Sequence, residues 1–342
     1  MSTPASPAPA LPIIVSFSGG RTSFYLLLEE IIAKYPARKI YVVFANTGEE
    51  RPETLEFINE ATLRYGIAVI YLEAVVSPKK GIATTYRLVD YATAYRPEYS
   101  WNPDYGRNYG FDNPLYCSKY ADLMATRPAE WGHPFEAVIA KYGIPNNSFG
   151  HCSRELKTQV IGGWIKGHFA PGGFQMALGI RADEAEREGQ WWYPLIESGV
   201  TKEQVRAYWN AQPFDLGLKD YEGNCGLCWK KGHNKNWTIL EQYPVIGLWY
   251  LKMEQQYGMV TPDDSDRRRT AAMAPLPLLD TLDIEANGLP AKRTGPFVFN
   301  HNGVSMAMMY EIVKRKRFKR VKDQEDVRSC ACGVEFENLL TA

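Results

Sequence analysis

The sequence predicts an α/β protein built on a doubly wound parallel sheet. Three observations lead there: short apolar runs of strand length, helical segments alternating with them, and a pair of glycines at the first junction. Leu11–Phe17 is an apolar, β-branched run that stops at Ser18-Gly19-Gly20, as a strand buried on both faces would. Ser23–Ile32 follows with helical character and no breaker. Lys39–Asn46 is a second buried strand, Pro52–Tyr65 a helix, and Ala68–Leu72 a third strand. Residues 77–113, rich in Tyr, Asn, Pro and Arg, read as an irregular segment or lid. Pro134–Tyr142 reads as a helix, Gly173–Ile180 as another strand and Val200–Asn210 as a helix with Thr201 as N-cap. Residues 262–296, rich in Pro, Asp and Arg, read as a linker, and Val304–Val327 as a last helix.

The composition sets limits on partners. Over 342 residues, 39 Lys and Arg balance 39 Asp and Glu, so no global field recruits nucleic acid or an anionic membrane. Any polyanion has to be held by a local patch. The one candidate is Lys314–Lys322, readable as a phosphate-binding face or as a solvated helix face balanced by Asp323, Glu325 and Asp326. No apolar run reaches the ~20 residues of a membrane span. Residues 1–10 are Pro/Ala/Ser-rich and lack the basic and apolar regions of a signal peptide, so they predict a disordered tail on a cytoplasmic chain. Four of the six cysteines form two close pairs, Cys225/Cys228 and Cys330/Cys332, which favours metal or redox chemistry over a disulfide framework. Cys117 reads as a core or loop thiol. Trp191, Trp192 and Trp229 are able to stack on a base, though core packing is their simpler role.

The glycine loop carries the first chemical signal. A strand that ends in Ser-Gly-Gly and opens into a helix points successive backbone N–H groups at one spot, a cradle for phosphate. Ser18, Thr22 and Ser23 add hydroxyls, and glycine removes the Cβ that blocks close approach. The loop fits neither the Walker nor the dinucleotide-binding fingerprint.

Ser18-Gly19-Gly20-Arg21-Thr22-Ser23 resembles the PP-loop of the ATP pyrophosphatase superfamily, S-G-G-x-D-S. Asn46-Thr47-Gly48-Glu49-Glu50-Arg51-Pro52 resembles its phosphoadenosine phosphosulfate (PAPS) reductase branch. Cys152–Lys157, Gly179–Glu184 with Arg187, and Tyr193–Ile196 agree in order, so the resemblance covers about residues 12–235. It implies an adenine nucleotide alpha hydrolase-like fold, with ATP or a sulfonucleotide bound by Ser16, Ser18–Ser23, Asn46, Thr47 and Gly48. Lys157, Arg181 and Arg187 would hold its anionic groups. Thr22 and Asn46 depart from the common Asp, which removes carboxylates that would hold Mg²⁺. The resemblance divides the chain at about residue 235, with 236–342 as a C-terminal helical or irregular extension bearing cysteines.

Iron–sulfur members of that branch pair Cys-Cys with a later C-x-x-C. Here His151 replaces the first cysteine, and Cys152, Cys225, Cys228 and Cys330 (or Cys332) remain as ligands of a [4Fe–4S] cluster or, as the second choice, Zn²⁺. Sulfonucleotide reductases also carry a C-terminal Glu-Cys-Gly nucleophile. Cys332 stands in Ala-Cys-Gly, and in that role it would need a thioredoxin-like partner as reductant. Relatives that transfer sulfur to nucleic acid join a PP-loop to clustered cysteines, which leaves three expected activities: substrate adenylylation with pyrophosphate release for sulfur transfer, thiol-dependent sulfonucleotide reduction, or the non-catalytic binding of a nucleotide or nucleic acid by an accessory protein. A sulfur donor belongs with the first.

Overall fold

In the computed structural model the described residues are 10–79, 81–146, 150–258, 260, 298–299 and 303–323. Five strands form one sheet: β1 (Ile13–Phe17), β2 (Ile40–Asn46), β3 (Val69–Val75), β4 (Thr85–Val89) and β5 (Gln175–Leu178). Their order is β4-β3-β2-β1-β5. β1, β2, β3 and β5 run parallel, with Ile13 opposite both Ile40 and Gln175. The expected doubly wound sheet is present, with one addition. Within the stretch read as irregular, Thr85–Val89 pairs antiparallel with β3, Val75 lying opposite Thr85. Its mixed, half-exposed residues belong to an edge strand, which lacks the apolar run that marks a central one.

Alternation along the strands splits the core between two faces. Ile14, Val43, Ala45, Leu72, Met176 and Leu178 point to one side. They pack against α3 (Pro134–Tyr142), α4 (Gln159–His168), α6 (His233–Gln242), α7 (Ile246–Tyr257) and α8 (Met306–Lys314). Ile13, Val15, Phe17, Val42, Phe44 and Ala177 point to the other side, against α1 (Arg21–Tyr25), α2 (Pro52–Tyr65) and α5 (Lys202–Asn210). Each fully buried Ile, Leu or Phe in these layers contributes roughly 1.5–3 kcal/mol. Trp237, Ile246, Trp249, Met306 and Met309, all beyond residue 235, share the core of the first face.

Local signals set the helix ends. Pro stands at the start of α2 and α3, where a missing N–H costs nothing. Gly66 in the left-handed region ends α2, and a Thr201–Gln204 capping box opens α5. The last helix is shorter than expected. It stops at Lys314, Lys316 takes φ +53°, and the chain beyond turns back so that Phe318 meets Trp237. No helix among the described residues is long and apolar enough to cross a membrane.

Candidate nucleotide site

Strand order makes the cleft. The chain steps from β1 to β2 to β3 in one direction and later places β5 on the other side of β1. The loops leaving β1 and β5 therefore diverge, and open α/β sheets bind ligands at such a switch point. A cleft of about 420 Å³ lies there, lined by Ser16, Ser18, Gly20, Arg21, Thr22, Ser23, Lys157, Arg181 and Arg187 among others. These are nine of the residues expected from the sequence, from three separated segments.

The loop is held rigidly from within and from outside. Gly19 has φ +74°, and a Cβ there would lie 2.8 Å from both Ile58 Cδ1 and Thr54 Cγ2. It shapes the turn and is not itself part of the cleft lining. Ser18 Oγ donates to Ser23 Oγ (3.1 Å), and Ser23 Oγ donates to the Gly20 carbonyl (2.9 Å). From 206 and 188 residues away in sequence, Asn224 Nδ2 donates to the Ser18 carbonyl (2.7 Å) and Trp209 Nε1 to the Arg21 carbonyl (2.9 Å). Arg21 turns to Asp215, bonded through Nε at 2.6 Å and through Nη2. These clamps are preorganisation of the kind an anion cradle needs. No local sequence signal marks Asn224, Trp209 or Asp215 as partners of the loop, because each acts only through the fold.

Cations and carboxylates alternate across the cleft. Arg181, 3 % exposed, bonds Asp183 through Nε and Nη2 (2.9 Å each), while its Nη1 lies 3.2 Å from Glu184 and donates to Thr22 Oγ1 at 3.3 Å. Arg187 bonds Glu184 at 2.8 Å. Lys202 and Arg206 both pair with Asp220, and Lys157 lies 3.8 Å from buried Glu50. Arg181 is thus a positioned cation whose partners hold its charge in place at the loop. Burial pushes the Asp183 carboxyl up, and the hydrogen bond and charge of Arg181 together outweigh it and hold the group below the ordinary carboxylate range. Lys157 sits on a π-helical turn (Arg154–Thr158), and a second π segment (Leu26–Ile32) continues α1. Such turns are frequent at functional sites.

The exit of β2 differs from expectation. Asn46, Thr47 and Gly48 do not line the cleft. Asn46 is fully buried and donates through Nδ2 to Glu73 (2.8 Å) and to the Tyr95 carbonyl (3.0 Å). Glu73 is itself paired with Arg127 at 2.7 Å. An aspartate at 46 would set a second carboxylate against Glu73, so the amide has a structural cause. Thr47 bonds Glu50 through its backbone N–H (2.8 Å) and hydroxyl (2.5 Å). Glu49 lies beside His133, whose Nδ1 accepts from Phe135 and Glu136 N–H groups. Nε2 therefore carries the proton and donates to Glu49 Oε1 at 3.1 Å. Burial and then Arg127 lower the His133 pKa to about 3, while burial and then Glu50 raise that of Glu49.

The cysteines divide. Cys225 lines the cleft and lies 3.6 Å from the Tyr250 hydroxyl, and the backbone bridge between Cys225 and Glu50 ties it to the β2 exit. Cys152 Sγ accepts from Trp229 Nε1 at 3.4 Å, and Cys228 is buried. Among the described residues no three Cys, His, Asp or Glu side chains converge to hold a metal. Cys330 and Cys332 lie outside the described residues. The described cysteines alone form no group that could hold a metal, so no chemistry is derived from a [4Fe–4S] cluster or a zinc site. Trp229 is core, as its simpler role required.

A parallel sheet with a Ser-Gly-Gly cradle at its switch point defines a PP-loop nucleotide-binding architecture. The sequence matches the phosphoadenosine phosphosulfate reductase domain over residues 12–96, which hold β1, the loop, β2, β3 and β4. It is also 30 % identical over 225 residues to the uncharacterized nin region protein ORF290 of Escherichia phage lambda, a match spanning 65 % of this chain and 67 % of that one. The chain belongs to the PAPS reductase-like family of the PP-loop superfamily.

Proposed function

We propose that this protein binds an adenine nucleotide in the cleft and uses it to activate a substrate by adenylylation with release of pyrophosphate, in the service of sulfur transfer. The observation that carries the reading is Arg181. Its guanidinium, bonded to Thr22 of the glycine loop, joins the anion cradle after β1 to the loop after β5. The cradle offers backbone N–H groups and hydroxyls to the phosphates, and Arg181 and Lys157 offset charge that develops on a leaving pyrophosphate. The carboxylates at the loop, Asp183 and Glu184, are already engaged by Arg181 and Arg187. With those carboxylates engaged, any Mg²⁺ would have to be supplied together with the nucleotide phosphates.

Reductive cleavage of a sulfonucleotide is the second reading, and the cation-rich cleft supports it, since sulfate and phosphate oxygens present the same paired acceptors to guanidinium. The test is incubation of the full chain with ATP, or with PAPS and thioredoxin. Pyrophosphate release supports the first reading and sulfite the second. Nucleotide binding with neither product supports an accessory protein without catalysis. No binding of ATP or PAPS by calorimetry overturns all three.

A further inference from the structure

The basic run met in the sequence has a definite place in the fold. Seven cations, Lys314, Arg315, Lys316, Arg317, Lys319, Arg320 and Lys322, fall within nine residues, and all seven are exposed. The two apolar residues among them are the anchors. Phe318 packs on Trp237, and Val321 N–H donates to Thr238 Oγ1 at 3.0 Å, both on α6. With the apolar side chains turned inward, the cations are turned out. Arg315 pairs with Glu311 and Arg320 with Glu241, whereas among the described residues no carboxylate pairs with Lys314, Lys316, Arg317 or Lys319. The strip then runs to the cleft. Asp323 accepts from the Asp220 backbone N–H at 2.9 Å and is itself part of the cleft lining, next to Lys202 and Arg206.

We infer that this strip is the docking surface of a nucleic acid whose reacting nucleotide enters the cleft. In a chain of zero net charge, a dense strip of outward cations, four of which pair with no carboxylate among the described residues, is held at a cost in self-repulsion that a polyanion relieves. Its end at the cleft rim, where Asp323 joins the lining, would place the strand beside the bound adenine nucleotide. The inference rests on the proposed nucleotide site only for where the strand leads; the docking itself is independent of it.

The test uses the full chain, a fluorescein-labelled single-stranded RNA and its DNA counterpart, and vesicles containing phosphatidylserine. The variant is K316E/R317E/K319E, which alters no residue placed in the cleft, with ATP affinity and thermal midpoint measured on the same samples. The expected result is oligonucleotide binding that weakens steeply between about 50 and about 200 mM salt. In the triple variant it falls at least about tenfold, and the slope of log K against log salt drops by roughly 2, since each lost single-strand phosphate contact removes ~0.7. As a measurement free of any variant, bound RNA should shield Lys314, Lys316 and Lys319 from acetylation in the wild-type chain. The inference is overturned if wild type and triple variant bind alike, if those lysines are acetylated equally with and without RNA, or if vesicles bind and oligonucleotides do not. A wild-type chain that binds RNA but not ATP would instead count against the nucleotide site and leave the docking intact.

Discussion

Arg181 and Asn46 show how far a single residue's role depends on its neighbours. Arg181 makes every guanidinium nitrogen count, so Arg181→Lys, which cannot span Asp183, Glu184 and Thr22 together, is expected to weaken ATP binding about 10- to 100-fold by calorimetry. An unchanged affinity would remove it from the site. Asn46→Asp restores the residue common in the family yet sets a carboxylate against buried Glu73. It should cost roughly 3–5 kcal/mol in urea unfolding, the range for an uncompensated buried charge, without improving Mg²⁺ dependence. Ser18–Ser23, Lys157, Arg181 and Arg187 were legible in the sequence because each belongs to a short motif with its own chemistry. Trp209, Asp215 and Asn224 were not, since nothing beside them in the chain hints at the loop they hold.

At the scale of elements, the β1–α1 turn and the cap of α3 are the most demanding junctions. Gly19→Ala combines a left-handed backbone with contacts at 2.8 Å on α2, and about 1–3 kcal/mol of stability should be lost along with nucleotide affinity. His133 caps α3 as a neutral imidazole. Unfolded, it titrates near 6.5, and folded at about 3, so the unfolded chain takes up a proton first as the pH falls. Stability therefore drops between those two values, and His133→Gln should flatten the fall of the urea midpoint across that window. Glu49 acts in the opposite sense: its raised pKa means that stability is lost as pH climbs above the ordinary carboxylate range. A midpoint as steep in His133→Gln as in wild type between pH 6.5 and 3 would contradict this assignment. The parallel strands were readable because burial on both faces writes itself as an unbroken apolar run. β4 was not, because an edge strand with solvent beside it carries no such run. Nor was the end of α8 at Lys314, since the turn there follows from Phe318 and Val321 seeking α6.

For the whole molecule, one cleft at the switch point should couple nucleotide binding to global stability. ATP at about 100 times its dissociation constant should add about 2.7 kcal/mol, seen as a raised thermal midpoint, and no shift at saturation would mean no binding. Residues on both sides of position 235 share a core, so unfolding of the described part should show one transition by fluorescence and by circular dichroism alike. The sequence by itself determined the fold class, the cradle and the family, because strand periodicity and the Ser-Gly-Gly turn are properties of neighbouring residues. Only the tertiary structure decided which cations face the loop, that Asn46 serves Glu73 and lies outside the cleft, and that the cysteines of the described chain do not converge. Those facts depend on segments as much as 159 residues apart meeting in space, and a low-dielectric interior sets the charge of each group by what it meets there.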